Sequence, residues 1–528
     1  MKENAEASNA ICHAPKQSII SQMEDHLLSL RAMSNLKLYN SLAREKEIFT
    51  PINPPYAGMY VCGPTVSGET HLGHARPYVT FDILYRYLTF SGYKVRYVRN
   101  ITDAGHFEEE GRESVDKVAN KAKLERLEPM ELVQKYTNIY HDMMDLLNNL
   151  RPSIEPTATG HIVEQISMIQ DIIAKGFAYV ANGSVYFDVT KYAKDYDYGR
   201  LSGRKIEEMI AGSRELDGQG EKRNPADFAL WKNAPPEHIM RWTSPWGEGF
   251  PGWHIECSAM SSKYLGVPFD IHGGGMDLLF PHHESEIAQT KIATGLPIAN
   301  YWLHNNMITI KGQKMSKSLG NTITIAQMFS GDHPLLEQAY SPMTLRFFIL
   351  QTQYRSTLDF SNEALQAAEK GLQRLMNALD ALNKLSYRDN TAEFNTEEDA
   401  QVRRIVDSCI IYMDDDLNTA MTMGSLFELS AKIFSWKNEQ LQLASISKET
   451  FELLVTTFNN FVTNIFGLRN EKFNDDSKMN GLMELLISLR NEARSNKDFA
   501  TSDKIRNDLQ KAGIQLKDGK EGTNWEGM

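Results

Sequence analysis

Two histidines, His71 and His74, flank Leu72 and Gly73 in the stretch YVCGPTVSGETHLGHARPY, residues 60 to 78. Far downstream, IKGQKMSKSLGN, residues 310 to 321, sets Lys314 and Lys317 between Gly312 and Gly320. Imidazole donors facing a phosphate gain value as negative charge builds in a transition state, and two ammonium groups on a loop with few apolar anchors suit a polyphosphate. Read singly, the first motif is also a pair of surface turn histidines and the second a solvated basic turn. Gly273, Gly274 and Gly275 would let backbone approach a ligand closely, and Asp277 could accept hydrogen bonds from a ribose. His282 and Glu286, four apart, would share one helix face. Cys62 and Cys257 are scattered, without Cys-x-x-Cys spacing, and by pattern alone read as buried packing cysteines.

These groups need a scaffold. GMYVCGPTV reads as a buried strand broken by Gly63-Pro64. From about Arg76, Val79, Ile83, Leu84, Tyr87 and Leu88 recur at helical spacing until Ser91-Gly92, and KVRYVRNIT forms a second strand. A strand, helix, strand unit of parallel-sheet type follows, with His71 and His74 in its first turn. There, unpaired backbone N–H groups and the helix dipole are expected to attract anions. Residues from about 110 to 250 read as an insertion of amphipathic helix, short strands and Gly-rich turns. GWHIEC reads as strand-like, and VPFDIHGGGMDLLFPHHESEIAQ as a strand, a glycine turn and a helix opened by Pro281. Beyond about 325 the chain reads as helical to near its end, with Ser361 as an N-cap before Leu365, Ala368, Leu372, Leu375, Leu379 and Leu382. The fold class is α/β: a Rossmann-type parallel-sheet domain split by an insertion, then a C-terminal helical bundle.

A chain of 528 residues is long enough for roughly three or four domains. Its 41% hydrophobic and 23% charged residues match globular averages, and no apolar run approaches the roughly 20 residues of a membrane span. The first residues show neither a secretory nor a transit pattern, so a cytoplasmic location is expected. Four cysteines form no close framework, which favours reduced thiols. The formal charge of −12 argues against a broad nonspecific nucleic-acid binder but leaves a local basic stripe open. Such a stripe is expected in the tail, where Arg490, Arg494, Lys497, Lys504 and Arg506 mix with Phe499 and Trp525 as cations for phosphates and planes for unstacked bases.

HLGH and KMSKS, in this order on a split α/β sheet, resemble the two signatures of class I aminoacyl-tRNA synthetases. CGPTV, NITD, KRNPADFALWK, PGWHIECSAM, HGGGMDLLFPHHESE and KMSKSLGN, in that sequence, are similar to the cysteinyl-tRNA synthetase family from about residue 35 to the C-terminus. The resemblance implies a cysteine–tRNA ligase acting on L-cysteine, ATP and tRNA-Cys, with Mg²⁺ accompanying ATP. It implies a Zn²⁺ ion held by Cys62, Cys257, His282 and Glu286, and a cysteine pocket lined by Thr65, Thr102, Trp253 and His272. ATP would meet His71, His74, Gly275, Asp277, Lys314 and Lys317, and Arg494, Asp503 and Asp518 would read anticodon bases. A thiolate is a better zinc ligand than a hydroxyl, so such a site would separate cysteine from serine without editing.

The expected division is an N-terminal extension, 1–34, two halves of the catalytic domain, 35–125 and 251–308, and a connective insertion, 126–250. A KMSKS and stem-contact region, 309–375, and an anticodon-binding helical domain, 376–528, complete it, in a chain expected to act as a monomer without a membrane partner. Residues 1–32 have no counterpart in compact family members, Met33 precedes a typical family start, and the loop after NITD is longer than usual. Two other readings are weaker. Ligases that deliver cysteine to a small amine look truncated after KMSKS, whereas this chain runs on, and an inactive tRNA-binding paralogue would lack some of the residues above.

Overall fold

The computed structural model describes residues 35–104, 106–107, 115–116, 128–205, 221–235, 238–315, 319–387, 394–471, 476–511, 514–519 and 522–527. The extension 1–34, most of the loop after Asp103, and Lys317 lie outside the described residues. Two compact units divide the chain, Met1–Arg469 and Asn470–Met528.

In the first unit, β1 (Tyr56–Val61), α1 (Leu72–Phe90) and β2 (Lys94–Arg99) form the expected strand, helix, strand unit. The helix starts earlier than its apolar period suggests, because His71 caps it. After the insertion come α2 (Trp253–Leu265), β3 (Phe269–Gly275), α3 (Glu284–Thr294) and β4 (Ala299–Asn305). The four strands make one parallel sheet in the order β4-β3-β1-β2, with His272 opposite Tyr60 and Gly275 opposite Asn305. The order places β1 and β3 centrally, so residues just past their C-terminal ends meet at the edge where open α/β sheets bind ligands.

The sequence reading of GWHIEC as strand-like is corrected: Trp253 to Leu265 is helix. His254, Ile255, Glu256, Cys257, Ser258, Ala259, Met260 and Ser261 are all buried, so the helix is covered all round and shows no 3.6-residue alternation. Pro281 opens a helical run as expected, directly after a break at Phe280. Phe280 is extended (φ −141°, ψ 134°), and the helical residues that follow it from Pro281 run on into α3.

The insertion builds a separate five-stranded antiparallel sheet around Trp231, with Phe187 and Phe228 stacked at 4.9 Å. Beyond β4, strands β5 (Ile308–Ile310), β6 (Gln313–Lys314) and β7 (Leu358–Phe360) form a small sheet in the order β6-β5-β7. α4 (Asn362–Leu382) is capped by Ser361, whose hydroxyl accepts from the Ala364 N–H, and buries Leu365, Ala368, Leu372, Leu375, Leu379 and Leu382 as its period requires. α5 (Thr396–Asp414), α6 (Thr419–Lys437) and α7 (Lys448–Asn459) pack with it in a common apolar core.

The second unit is α8 (Asp476–Ser495), α9 (Phe499–Lys511) and a hairpin of β8 (Ile514–Gly519) and β9 (Gly522–Gly527), gathered on Met483, Leu509 and Leu516. The chain therefore ends in strands, not helix.

Candidate active site

The HLGH helix begins with a cap made by its own histidines. His71 Nδ1 accepts from Gly73 N–H at 3.1 Å, and His74 Nδ1 accepts from His71 N–H at 3.2 Å. The rings stack, centroids 3.8 Å apart and 22° from parallel. A neutral imidazole that accepts at Nδ1 carries its proton at Nε2, so each ring keeps an N–H donor on its far edge. The expectation of free backbone N–H groups is corrected. Leu72 N–H donates to Ile323 O at 3.1 Å, and the His74 and Ala75 N–H groups both reach His71 O, so these backbone donors are taken up within the fold.

The glycine run also serves a purpose other than the one expected. A side chain at Gly273 would start 2.3 Å from the Phe81 ring, and one at Gly274 would start 2.8 Å from His283 Cε1. Those two glycines make room for a helix and an imidazole; Gly275 lies at the strand's C-terminal end beside Asp277, which is exposed. Lys314 is exposed on β6 opposite Thr309.

Beneath this edge lies a buried cluster that spacing could not reveal. Cys62, just past β1, and Cys257, on α2, bring their sulfurs to 3.7 Å. Glu286 Oε1 stands 3.7 Å from Cys62 Sγ and 3.2 Å from His282 Nε2. Cys62, Cys257, His282 and Glu286 thus offer ligand atoms within 4.8 Å of one another, and a second set, Cys62, His272, His283 and Glu286, overlaps it. Burial pushes the Cys62 thiol and the Glu286 carboxyl well above their ordinary ranges and holds His282 and His283 well below theirs. Neutral forms are the cluster's resort when no cation sits among them. Two thiols, an imidazole and a carboxylate fit a borderline-soft divalent cation, which needs their deprotonated forms and compensates their charge.

The remaining expected residues surround the cluster. The Trp253 ring lies 4.2 Å from that of His282, and His272 stacks on Trp302 at 4.3 Å while its Nε2 meets Glu286 Oε2 at 2.9 Å. Burial pushes His272 down to about 3. Thr65 bridges Thr102, whose hydroxyl donates to Glu256 Oε2 at 2.8 Å. Sequence reasoning missed His283 and Asn100. His283 Nε2 is 3.3 Å from Cys62 Sγ, and Asn100 Oδ1 accepts from Gly63 N–H at 2.8 Å and faces Cys257 Sγ at 3.6 Å. The doublet in PHHESE, three and four residues before Glu286, was the available signal for the former.

In the second unit, Arg494 and Asp503 are exposed on α8 and α9, and Asp518 stands in β8 opposite Thr523. Arg490 is buried, 3% exposed, and Trp525 packs toward the unit's own core, so those two are not the surface cation and base platform expected. Phe499 is 61% exposed.

Residues 48–370 match the family model of the class I (C) tRNA synthetase catalytic domain, and residues 410–470 match the DALR domain. A cysteine–tRNA ligase of Bacteroides thetaiotaomicron is 57% identical over 493 residues, 93% of this chain and 98% of that protein. One of Porphyromonas gingivalis is 56% identical over 494 residues, 93% of this chain and 99% of that protein. Among solved structures, the Mycobacterium tuberculosis methionyl-tRNA synthetase in complex with methionyl-adenylate aligns with a TM-score of 0.53 at 15% identity, over 78% of this chain and 89% of that one, a likeness of fold. No helix among the described residues is long and apolar enough to cross a membrane. With a family match over most of its length and relatives this similar end to end, the chain belongs to the cysteine–tRNA ligase family of class I aminoacyl-tRNA synthetases.

Proposed function

We propose that the chain activates L-cysteine with Mg-ATP and passes the cysteinyl group to the terminal adenosine of tRNA-Cys, selecting cysteine by its sulfur. The observation that carries this reading is the convergence of Cys62, Cys257, His282 and Glu286 at the same sheet edge that ends in Gly275 and neighbours HLGH. These four residues would hold Zn²⁺, which when bound supplies a soft Lewis acid for a substrate thiolate that a serine hydroxyl cannot match. Thr65, Thr102, Trp253 and His272 would enclose the amino acid.

In the first step the cysteine carboxylate attacks the α-phosphorus and pyrophosphate leaves. The substrate supplies its own nucleophile, so the protein's part is in-line placement and stabilisation of charge. His71 and His74 would donate from Nε2 to the phosphate oxygens, Gly275 and Asp277 would hold the adenosine, and Lys314 and Lys317 would draw on the departing pyrophosphate. In the second step the 2′-hydroxyl of the tRNA's last adenosine attacks the mixed anhydride and AMP leaves. Arg494, Asp503 and Asp518 would read anticodon bases. The domain division set out above, action as a monomer, and a cytoplasmic location belong to the same reading.

The test is exchange of labelled pyrophosphate into ATP, driven by cysteine or by serine, with metal content measured on the same sample. Exchange with cysteine alone and one zinc per chain supports the reading. Equal exchange with serine, or none with cysteine, sinks it.

A further inference from the structure

The two signature motifs are proposed to meet one ATP, yet they stand more than two hundred residues apart, one at the start of α1 and the other beginning with Lys314 at the end of β6. Four groups of contacts fix their separation. Arg76, two residues beyond His74 and 1% exposed, donates from Nη1 to Met307 O at 3.0 Å. Its Nη2 reaches the carbonyls of Gln353 at 3.4 Å and Tyr354 at 3.3 Å, and also that of Ser356. Met307 leads directly into β5, and Ser356 lies just before β7, the parallel partner of β5. On β7, Asp359 Oδ1 accepts from Thr309 Oγ1 at 2.6 Å and from Gly312 N–H at 2.8 Å, closing the β5-β6 turn that leads to Lys314.

The far end of the KMSKS segment is tied to the same helix. Leu72 N–H donates to Ile323 O at 3.1 Å, Ile325 N–H donates to Thr70 O at 2.9 Å, and Met315 Cε lies 3.6 Å from where a Gly73 side chain would begin. From the helical bundle, fully buried Asp416 accepts from Tyr354 OH at 2.6 Å and from Arg355 Nε at 2.7 Å, pinning the 353–356 loop that Arg76 reads.

We infer that Arg76 is a positioning residue: it sets the base of the KMSKS loop against the HLGH helix through the 353–356 loop, and Asp416 holds that loop from the bundle. The chemistry of Arg76 supports a geometric role. Its hydrogen-bond partners among the described residues are carbonyl oxygens, with no carboxylate to offset its burial, which pushes the guanidinium down to about 10. An apolar side chain would pack there without that desolvation cost, whereas only a rigid planar fork of donors measures the distance between several carbonyls at once. Lysine has the charge without the fork.

This inference rests on the proposal that both motifs act on ATP, and the experiment separates the two. Single-turnover formation of labelled cysteinyl-adenylate is followed on the full chain carrying Arg76→Lys, Asp416→Asn or both, alongside melting temperature and the cysteine KM. Positioning predicts a rate about 10–100-fold lower for Arg76→Lys, with full amplitude per chain and unchanged cysteine KM. It also predicts that the Asp416→Asn effect is smaller and not additive with the first. A structural role alone would lower amplitude and melting temperature while leaving the rate per active site intact; that pattern, or wild-type rates in a folded Arg76→Lys protein, overturns the inference. Should Arg76→Lys fail to fold, a wild-type rate in Asp416→Asn overturns it and a slower rate at full amplitude supports it. Absence of adenylate in the unmutated protein overturns the adenylation reading itself.

Discussion

Cys62 Sγ stands closer to His283 Nε2, at 3.3 Å, than to Cys257 Sγ, at 3.7 Å, so one thiol serves two overlapping donor sets. The set with Cys257 supplies two thiolates, and its His282 is backed at Nδ1 by His254 at 3.0 Å, leaving Nε2 for the metal. His283 is held from behind by His304, Nδ1 to Nε2 at 2.8 Å, but joining it to a metal would leave Cys257 a bystander. We predict that His282→Asn loses bound zinc and that His283→Asn keeps one zinc per chain, with the cation bound about 10–100-fold less tightly because a neighbouring support is gone. Elemental analysis after dialysis against a graded chelator series decides the matter. Loss of metal in both variants alike would contradict the assignment.

Cys257→Ser replaces a thiolate with a hydroxyl while keeping the shape. Cysteine-dependent pyrophosphate exchange should fall by more than about a hundredfold, beyond the range for outer residues. Because the pocket would then have only shape to work with, the cysteine preference over serine should shrink to the order of 10–200-fold expected for a small change of group. The ratio of kcat/KM for the two amino acids is the readout. An unchanged ratio would mean that selection does not run through the metal.

His74 caps its helix and, in the proposed function, donates to a phosphate, two roles that substitution can part. If its Nδ1 caps the helix while its Nε2 serves the phosphate, His74→Ala should lower kcat about 10²–10³-fold and cost about 1 kcal/mol of stability. In His74→Asn the amide oxygen can still accept from His71 N–H, restoring the cap without reaching as far as the phosphate. Stability should recover in that variant while kcat stays low, as melting curves and single-turnover rates would show. Recovery of both together would count against a donor role.

Much of this was legible in the sequence wherever a segment has one dry face or a fixed local geometry. Ser361 and the leucines after it gave a helix because cap and period agree, and HLGH and KMSKS, each ambiguous alone, drew notice as a pair because each is contiguous. α2 was misread because burial all round erases the alternation that separates helix from strand. At Gly273 and Gly274 the missing side chain leaves room for Phe81 and His283, a packing reason that a sequence does not show because it does not say what fills the gap a glycine leaves. Arg490 and Trp525 look like surface ligands for nucleic acid until the hairpin at the end of the chain, unread in the sequence, turns Trp525 toward the core. The cation cluster is the extreme case: four ligands on three separate segments have no period at all, and only a resemblance brought them together.

The NITD segment should depend on pH through a residue outside it. Arg99, the last residue of β2, is buried between the Tyr78 and Tyr140 rings, 5.1 and 5.2 Å from its guanidinium carbon, and its Nη2 donates to Glu155 Oε1 at 2.9 Å. Glu155 Oε2 also meets His141 Nε2 at 2.6 Å. Burial works to raise the Glu155 pKa, but the His141 hydrogen bond and the Arg99 charge outweigh it and leave the carboxyl below its ordinary range. A depressed folded pKa means stability that is fully present above the unfolded value, about 4.3, and is lost as pH falls through the folded one. Glu155→Gln should therefore be less stable than the unmutated chain by about 3 kcal/mol at neutral pH, the scale for breaking a largely buried pair. The difference should hold above the unfolded value, fade as pH falls below it, and close only once pH has passed below the lowered folded value, where both chains carry a neutral group at this position. Chemical unfolding at a series of pH values measures it, and a gap that persists unchanged at the acid end would show that the Glu155 contribution is packing and not charge.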